Sequence, residues 1–125
     1  MMNSLKKRLV RLLSPLGSVS MEGDYLIVKA YTNVAVGVRV AQTPAGTRLK
    51  VVVDRRDAER FLAYTGRMSV RPDLRIRLRR DVVIPVRASR NLHNGRIVVW
   101  APEEPVDEKI IQTCVLFASK VIANN

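Results

Sequence analysis

The side chains best placed by type and spacing to do chemistry are arginines. From Val70 to Arg79 the sequence alternates: Val70, Pro72, Leu74, Ile76 and Leu78 fall on one side, Arg71, Asp73, Arg75, Arg77 and Arg79 on the other. In a β-strand, alternate side chains stand on one face about 6.6 Å apart. That repeat is close to the phosphate spacing of an extended nucleic-acid strand, and guanidinium is a planar donor suited to phosphate. Arginines this close also repel one another, so an anion laid along them relieves a cost. The chemistry implied is sequence-independent capture of a phosphate backbone by Arg71, Arg75, Arg77 and Arg79. Arg80, Arg87, Arg90 and Arg96 extend the basic strip on neighbouring segments. The competing structural role is a solvated face whose charges keep a sheet edge from aggregating.

A second basic cluster opens the chain. Leu5, Leu9, Leu12 and Leu16 recur at spacings of three and four, with Lys6, Lys7, Arg8 and Arg11 between them. This is an amphipathic helix over 3–14, stopped at Ser14-Pro15 because proline disfavours helical geometry in the residue before it. Burying the leucines leaves Lys6, Lys7, Arg8 and Arg11 outward, able to assist on a polyanion. A short helix without a Trp or Phe anchor is a poor membrane binder. Charge runs through its apolar positions, unlike a signal peptide, and no stretch reads as membrane-spanning.

Other chemistries find little support. His93 is the single histidine, in a polar loop with an Asn94-Gly95 turn signal, and Cys114 is the single cysteine, in an apolar helical stretch. Together they exclude histidine- or thiolate-based metal clusters and an intrachain disulfide. Asp54 and Asp57 are placed to cap a helix, and no carboxylate pair converges elsewhere. Phosphate-binding glycine motifs are missing. The chain therefore reads as non-enzymatic, with no cofactor and no metal, from a reducing, cytoplasmic setting.

Charge supports the arginine reading. Of 125 residues, 22 are basic and 11 acidic, for a net charge of +11. Residues 1–100 carry net +13 and residues 101–125 net −2, so a basic body ends in a mildly acidic tail. Such an excess steers polyanions to the surface. Arginine outnumbers lysine 16 to 6, which suits bidentate phosphate contacts and also fits a heat-adapted chain. Tyr25 and Tyr31 share a strand face with Lys29, a row that could stack bases if exposed.

The elements that must position these residues are mixed. Tyr25–Tyr31 reads as a strand; Val34, Val36, Val38 and Val40 mark one face of the next, with Ala35, Gly37, Arg39 and Ala41 on the other. Residues 48–53, 70–79, 82–88 and 96–100 complete the strands, with Pro85 signalling an edge or an irregularity. A short helix over 55–65 carries Ala58, Phe61 and Leu62, closed by Gly66. The Pro102–Pro105 segment breaks the pattern, and a longer helix over 106–122 carries a stripe of Ile110, Ile111, Cys114, Val115, Ala118, Val121 and Ile122. Only six residues are aromatic, so valine, leucine and isoleucine must build the core.

The expected architecture is one α+β domain over 1–125: a basic amphipathic helix over 1–16, a β-rich body over 21–100 containing helix 55–65, and a C-terminal helix over 106–123. A mostly antiparallel sheet of five or six strands would be covered by the terminal helices. The expected partner is DNA or RNA. The alternatives are a structural or assembly subunit docking its basic face on an acidic protein, and a homodimer paired through helix 106–122.

Overall fold

The computed structural model describes residues 2–64, 74–88 and 96–124, and its elements follow in chain order. Helix α1 (Met2–Leu13) runs into a 3-10 turn (Ser14–Leu16), followed by strands β1 (Ser18–Glu22), β2 (Tyr25–Lys29), β3 (Ala35–Thr43) and β4 (Gly46–Asp54). Helix α2 (Arg55–Tyr64), strands β5 (Leu74–Arg79), β6 (Val82–Ala88) and β7 (Arg96–Trp100), and helix α3 (Glu108–Ala123) complete it. The fold is α+β, as expected. An antiparallel five-stranded sheet, β1-β2-β3-β4-β7, is flanked by the β5–β6 hairpin in the order β7-β6-β5. Among the described residues, the hairpin joins the larger sheet at two residue pairs, Arg87↔Val99 and Ala88↔Val98.

All three helices pack on one face of this sheet. Leu9 and Leu13 of α1, Ala58, Phe61 and Leu62 of α2, and Ile110, Cys114 and Phe117 of α3 share one core with the inward rows of the strands. Those rows are the alternations of the sequence: Val36, Val38 and Val40; Leu49, Val51 and Val53; Leu74, Ile76 and Leu78. The middle helix needs this docking, since ten residues are too few to hold a helix in water. Asp57, buried in its first turn, accepts a hydrogen bond from the Ala35 amide at 3.3 Å and so ties α2 to the start of β3.

Two details depart from expectation. Strand β1 has no counterpart in the sequence pattern: Ser18, Ser20, Met21 and Glu22 are all exposed, so no buried alternation marks it. It is strand because β2 offers it a complete hydrogen-bonding edge, Ser18↔Lys29 through Glu22↔Tyr25, closed by a turn in which Gly23 has φ 59°. Strand β2 ends at Lys29, not Tyr31. The chain turns at Ala30–Val34 through Asn33 at φ 69°, with the Ala30 amide bonded to the Val34 carbonyl at 2.8 Å. The Gly66 stop and the residues 70–73 lie outside the described residues.

Gly17 joins the helical entry to β1 where the chain crosses the end of β2. A Cβ there would overlap the Lys29 carbonyl oxygen and lie 2.9 Å from the Ala30 Cα, both backbone atoms that cannot swing aside. Gly17→Ala is expected to cost about 1–3 kcal/mol as forced overpacking, read as a lowered midpoint in thermal denaturation.

On α3, Ile110, Ile111, Cys114, Phe117, Ala118 and Val121 are buried within the chain, while Val115 and Ile122 of the expected stripe are half-buried. Its N-terminus is capped by Asp107, whose carboxylate accepts from the Ile110 amide at 2.8 Å. Burial pushes the Cys114 thiol up to about 12. The folded chain thus keeps a proton that a thiol at its ordinary value of 9.0 would lose, so stability declines as pH climbs above that value. The thiolate is the reactive species, so the aromatic disulfide DTNB is expected to leave Cys114 untouched at pH 8 and to react fully once guanidinium unfolds the chain. Among the described residues, no helix is long and apolar enough to cross a membrane.

Candidate nucleic-acid interface

The face of the sheet opposite the helices carries the arginine ladder. On β5, Leu74, Ile76 and Leu78 are buried while Arg75, Arg77 and Arg79 are exposed, the alternation read from the sequence. The row is not fully regular. Arg75 stands opposite Pro85 and Arg77 opposite Val83, but a bulge brings Arg79 opposite Val82. A bulge sharpens local twist and re-aims the side chains beyond it, so Arg79 diverges from the line of the first two.

The ladder is only lightly neutralised. Arg79 Nε lies 3.3 Å from Asp81 Oδ1, and Arg77 Nη1 donates to the Arg80 carbonyl at 2.6 Å. Among the described residues, Arg75, Arg77 and Arg80 have no carboxylate partner. Exposed Val83 and Pro85 lie beside the guanidinium row on β6. Arg87 is placed by its backbone on β6, in register with Val99 of the same face. Arg71, Arg90, His93 and the Asn94-Gly95 turn lie outside the described residues.

Toward the middle of the sheet the same face turns apolar. Tyr25, Ile27, Val52 and Val99 form a second buried cluster, with Ala35 packed against it. Gly37 lies beneath them; a Cβ on it would stand 2.8 Å from Val52 Cγ2 and 3.2 Å from Ile27 Cδ1. Tyr25 is therefore part of a packed layer, whereas Tyr31 sits in the β2–β3 turn and is fully exposed, at 101%. The Tyr25–Lys29–Tyr31 stacking row does not exist as one surface.

Beyond the cluster lie cations that the sequence reading left out of the site. Register places Arg39 between Tyr25 and Lys50, and Arg48 opposite Ala41, all on the face that carries the ladder. Lys29 is on that face at the far end of β2. Arg39 is 3.6 Å from Asp24, and its cross-strand neighbour Lys50 has no acidic partner among the described residues. Like charges directly opposite across a sheet are destabilising, which leaves this pair favourable to an anion. The signal for these residues was present in the Val36–Val40 and Leu49–Val53 alternations. What sequence could not supply was the strand order that sets them beside β7 and the hairpin.

Helix α1 presents its cations on the other side of the molecule. Leu9 and Leu13 anchor it in the helix layer, so Lys6, Lys7, Arg8 and Arg11 do not join Arg75, Arg77 and Arg79 in one surface. Lys7 and Arg11 are exposed and Lys6 is half-buried. Arg8 is engaged within the chain, donating Nη1 to Glu108 Oε2 at 2.6 Å and Nη2 to Oε1 at 2.5 Å. These hydrogen bonds raise the Arg8 guanidinium further and hold the Glu108 carboxyl below the usual carboxylate range. The pair pins the start of α3 to α1.

Among the described residues, no group of three or more His, Cys, Asp or Glu side chains is close enough to share a metal ion. Set against models of known protein families, curated protein sequences and solved structures, the chain matches none of them.

Proposed function

We propose that this protein binds nucleic acid without catalysis, through the phosphate backbone and largely independently of sequence. The observation that carries the reading is the arrangement of Arg75 and Arg77: exposed on alternate positions of an outer strand, above a buried apolar row, with no carboxylate among the described residues to neutralise them. Arg79 and Arg80 continue the strip around the hairpin turn, and Arg87 continues it in register toward β7. Lys29, Arg39, Arg48 and Lys50 lengthen the track across the same face. A strand that met Lys6, Lys7 and Arg11 as well would have to pass around the molecule, so those residues lie outside the proposed track. The setting proposed is the cytoplasm, with Cys114 reduced.

A second reading is favoured by Val83 and Pro85, which interleave exposed apolar surface with the arginines. A mixed apolar and basic strip also suits docking on an acidic protein as an assembly subunit. Fluorescence anisotropy with labelled single- and double-stranded DNA and RNA of equal length, titrated at two salt concentrations, separates the two. Binding that weakens steeply with salt, with a stoichiometry that grows with strand length, supports the nucleic-acid reading. Binding to none of the four rejects it and turns the search to acidic proteins.

A further inference from the structure

The join between the hairpin and the larger sheet is a fork. Strands β6 and β7 pair at Arg87↔Val99 and Ala88↔Val98 and then separate. Continuing that register would set Pro85 opposite Ala101 and Ile84 opposite Pro102, so each strand meets the other with a residue that cannot donate. Past this point β6 pairs only with β5 among the described residues, while β7 ends one residue further on, at Trp100, which pairs with Val51 of β4. The edge of β6 and the segment leaving β7, Trp100–Glu104, line a cleft of about 640 Å³ that reaches the first turns of α3. Ile84 and Trp100, on its two walls, are buried, and no hydrogen bond joins the walls among the described residues.

The rim of this cleft inverts the charge of the molecule. Asp81, Glu103, Glu104 and Asp107 line it against one cation, Lys109, in a chain whose net charge is +11. Asp81 is engaged by Arg79, and one Asp107 oxygen caps α3. Glu103 and Glu104 are exposed and have no cationic partner among the described residues. The four carboxylates are spread around the rim and do not form a metal-binding group. They also repel phosphate, so this surface does not rest on the nucleic-acid reading, although it borders that face at Val83 and Pro85.

We propose that this cleft takes an extended basic segment of a partner protein as a strand added to the open edge of β6, beside the segment that leaves β7. The open stretch of β6, Val82 to Val86, is about 17 Å long at roughly 3.3 Å per residue, room for four or five residues. Strand addition supplies the missing ladder partners, and pockets for alternate side chains supply selectivity. One side of the guest faces Ile84, Trp100 and Ile110 and calls for apolar residues; the alternate residues and the ends reach Glu103 and Glu104 and call for lysine or arginine.

The single tryptophan, Trp100, reports occupancy directly by its fluorescence. The probe is an acetylated, amidated hexapeptide alternating lysine and valine, compared with its glutamate–valine counterpart, with a backbone N-methylated lysine–valine version, and with spermine. A protein of charge +11 repels a cationic peptide in general, so capture of this one must be local. The expected result is a saturable Trp100 change with the lysine–valine peptide alone, weakened at least tenfold in the doubly substituted Glu103→Gln, Glu104→Gln protein. The ordinary circular dichroism of that variant verifies its fold. No saturable change, or an equal response to the glutamate peptide, overturns the proposal. An equal response to the N-methylated peptide or to spermine also overturns it, because the site would then read charge without pairing a strand.

Discussion

A chain carrying Arg75→Ser, Arg77→Ser and Arg79→Ser together is expected to fold normally and to bind nucleic acid of any sequence about tenfold or more weakly. All three side chains are exposed, and the row that holds β5 in place, Leu74, Ile76 and Leu78, is untouched. The folded chain loses one hydrogen bond to the Arg80 carbonyl and one exposed ion pair, and it sheds the repulsion within the ladder. Each lost phosphate contact removes about 0.7 from the salt slope on a single strand, so the slope should flatten by about 2. The control is a second triple variant, Lys6→Ser, Lys7→Ser and Arg11→Ser, which alters net charge equally but lies on the helix side of the sheet. If net charge alone drives binding, the two variants lose affinity alike. A site on the open face requires the β5 variant to lose clearly more, and unchanged affinity in a folded β5 variant removes the ladder from the site.

Phe117→Ala is expected to be the most damaging single substitution considered. Phe117 is fully buried on α3, and its ring centroid lies 6.2 Å from that of Phe61 at a 44° tilt, joining α3 to α2. Truncating a buried phenylalanine costs about 3–5 kcal/mol, from lost transfer energy and from the cavity left between elements that relax only in part. Against a total stability of about 5–15 kcal/mol, that is a large share. With a urea dependence of about 1–3 kcal/mol per molar, the unfolding midpoint should fall by about 2 M, followed by Trp100 fluorescence. Leu116, the adjacent half-buried residue, supplies the contrast: Leu116→Ala should move the midpoint much less. A Phe117→Ala loss below about 1 kcal/mol would mean that the helix layer does not depend on this contact.

The parts of this molecule that were legible in its sequence are those where local periodicity and burial coincide. Leu74, Ile76 and Leu78 against Arg75, Arg77 and Arg79 display both the strand and its two faces, and Val36, Val38 and Val40 do the same. Ile110, Ile111, Cys114 and Ala118 display α3 and the stripe it buries. Strand β1 was illegible because Ser18–Glu22 owes its conformation to the edge of β2 and not to any pattern of its own. The separation of α1 from the ladder was illegible for another reason. A stripe of leucines reveals that a helix docks, but not on which side of the sheet. Pro85 and Pro102 were each legible as interruptions, yet only the long-range register of β6 on β7 brings them to adjacent pairs at the point where pairing stops.

The two outermost strands among those described differ in a way that bears on growth. Strand β5 bears a guanidinium at every second position, while β1 offers serines, a methionine and one carboxylate. Two copies approaching through β5 would bring like ladders together, and a β5 edge meeting a β1 edge would gain little charge compensation. Edge-to-edge contact through β1 would use up the more compliant of the two outer edges. In polymer terms, the outer edges of the described sheet form one pairing end and one terminated end.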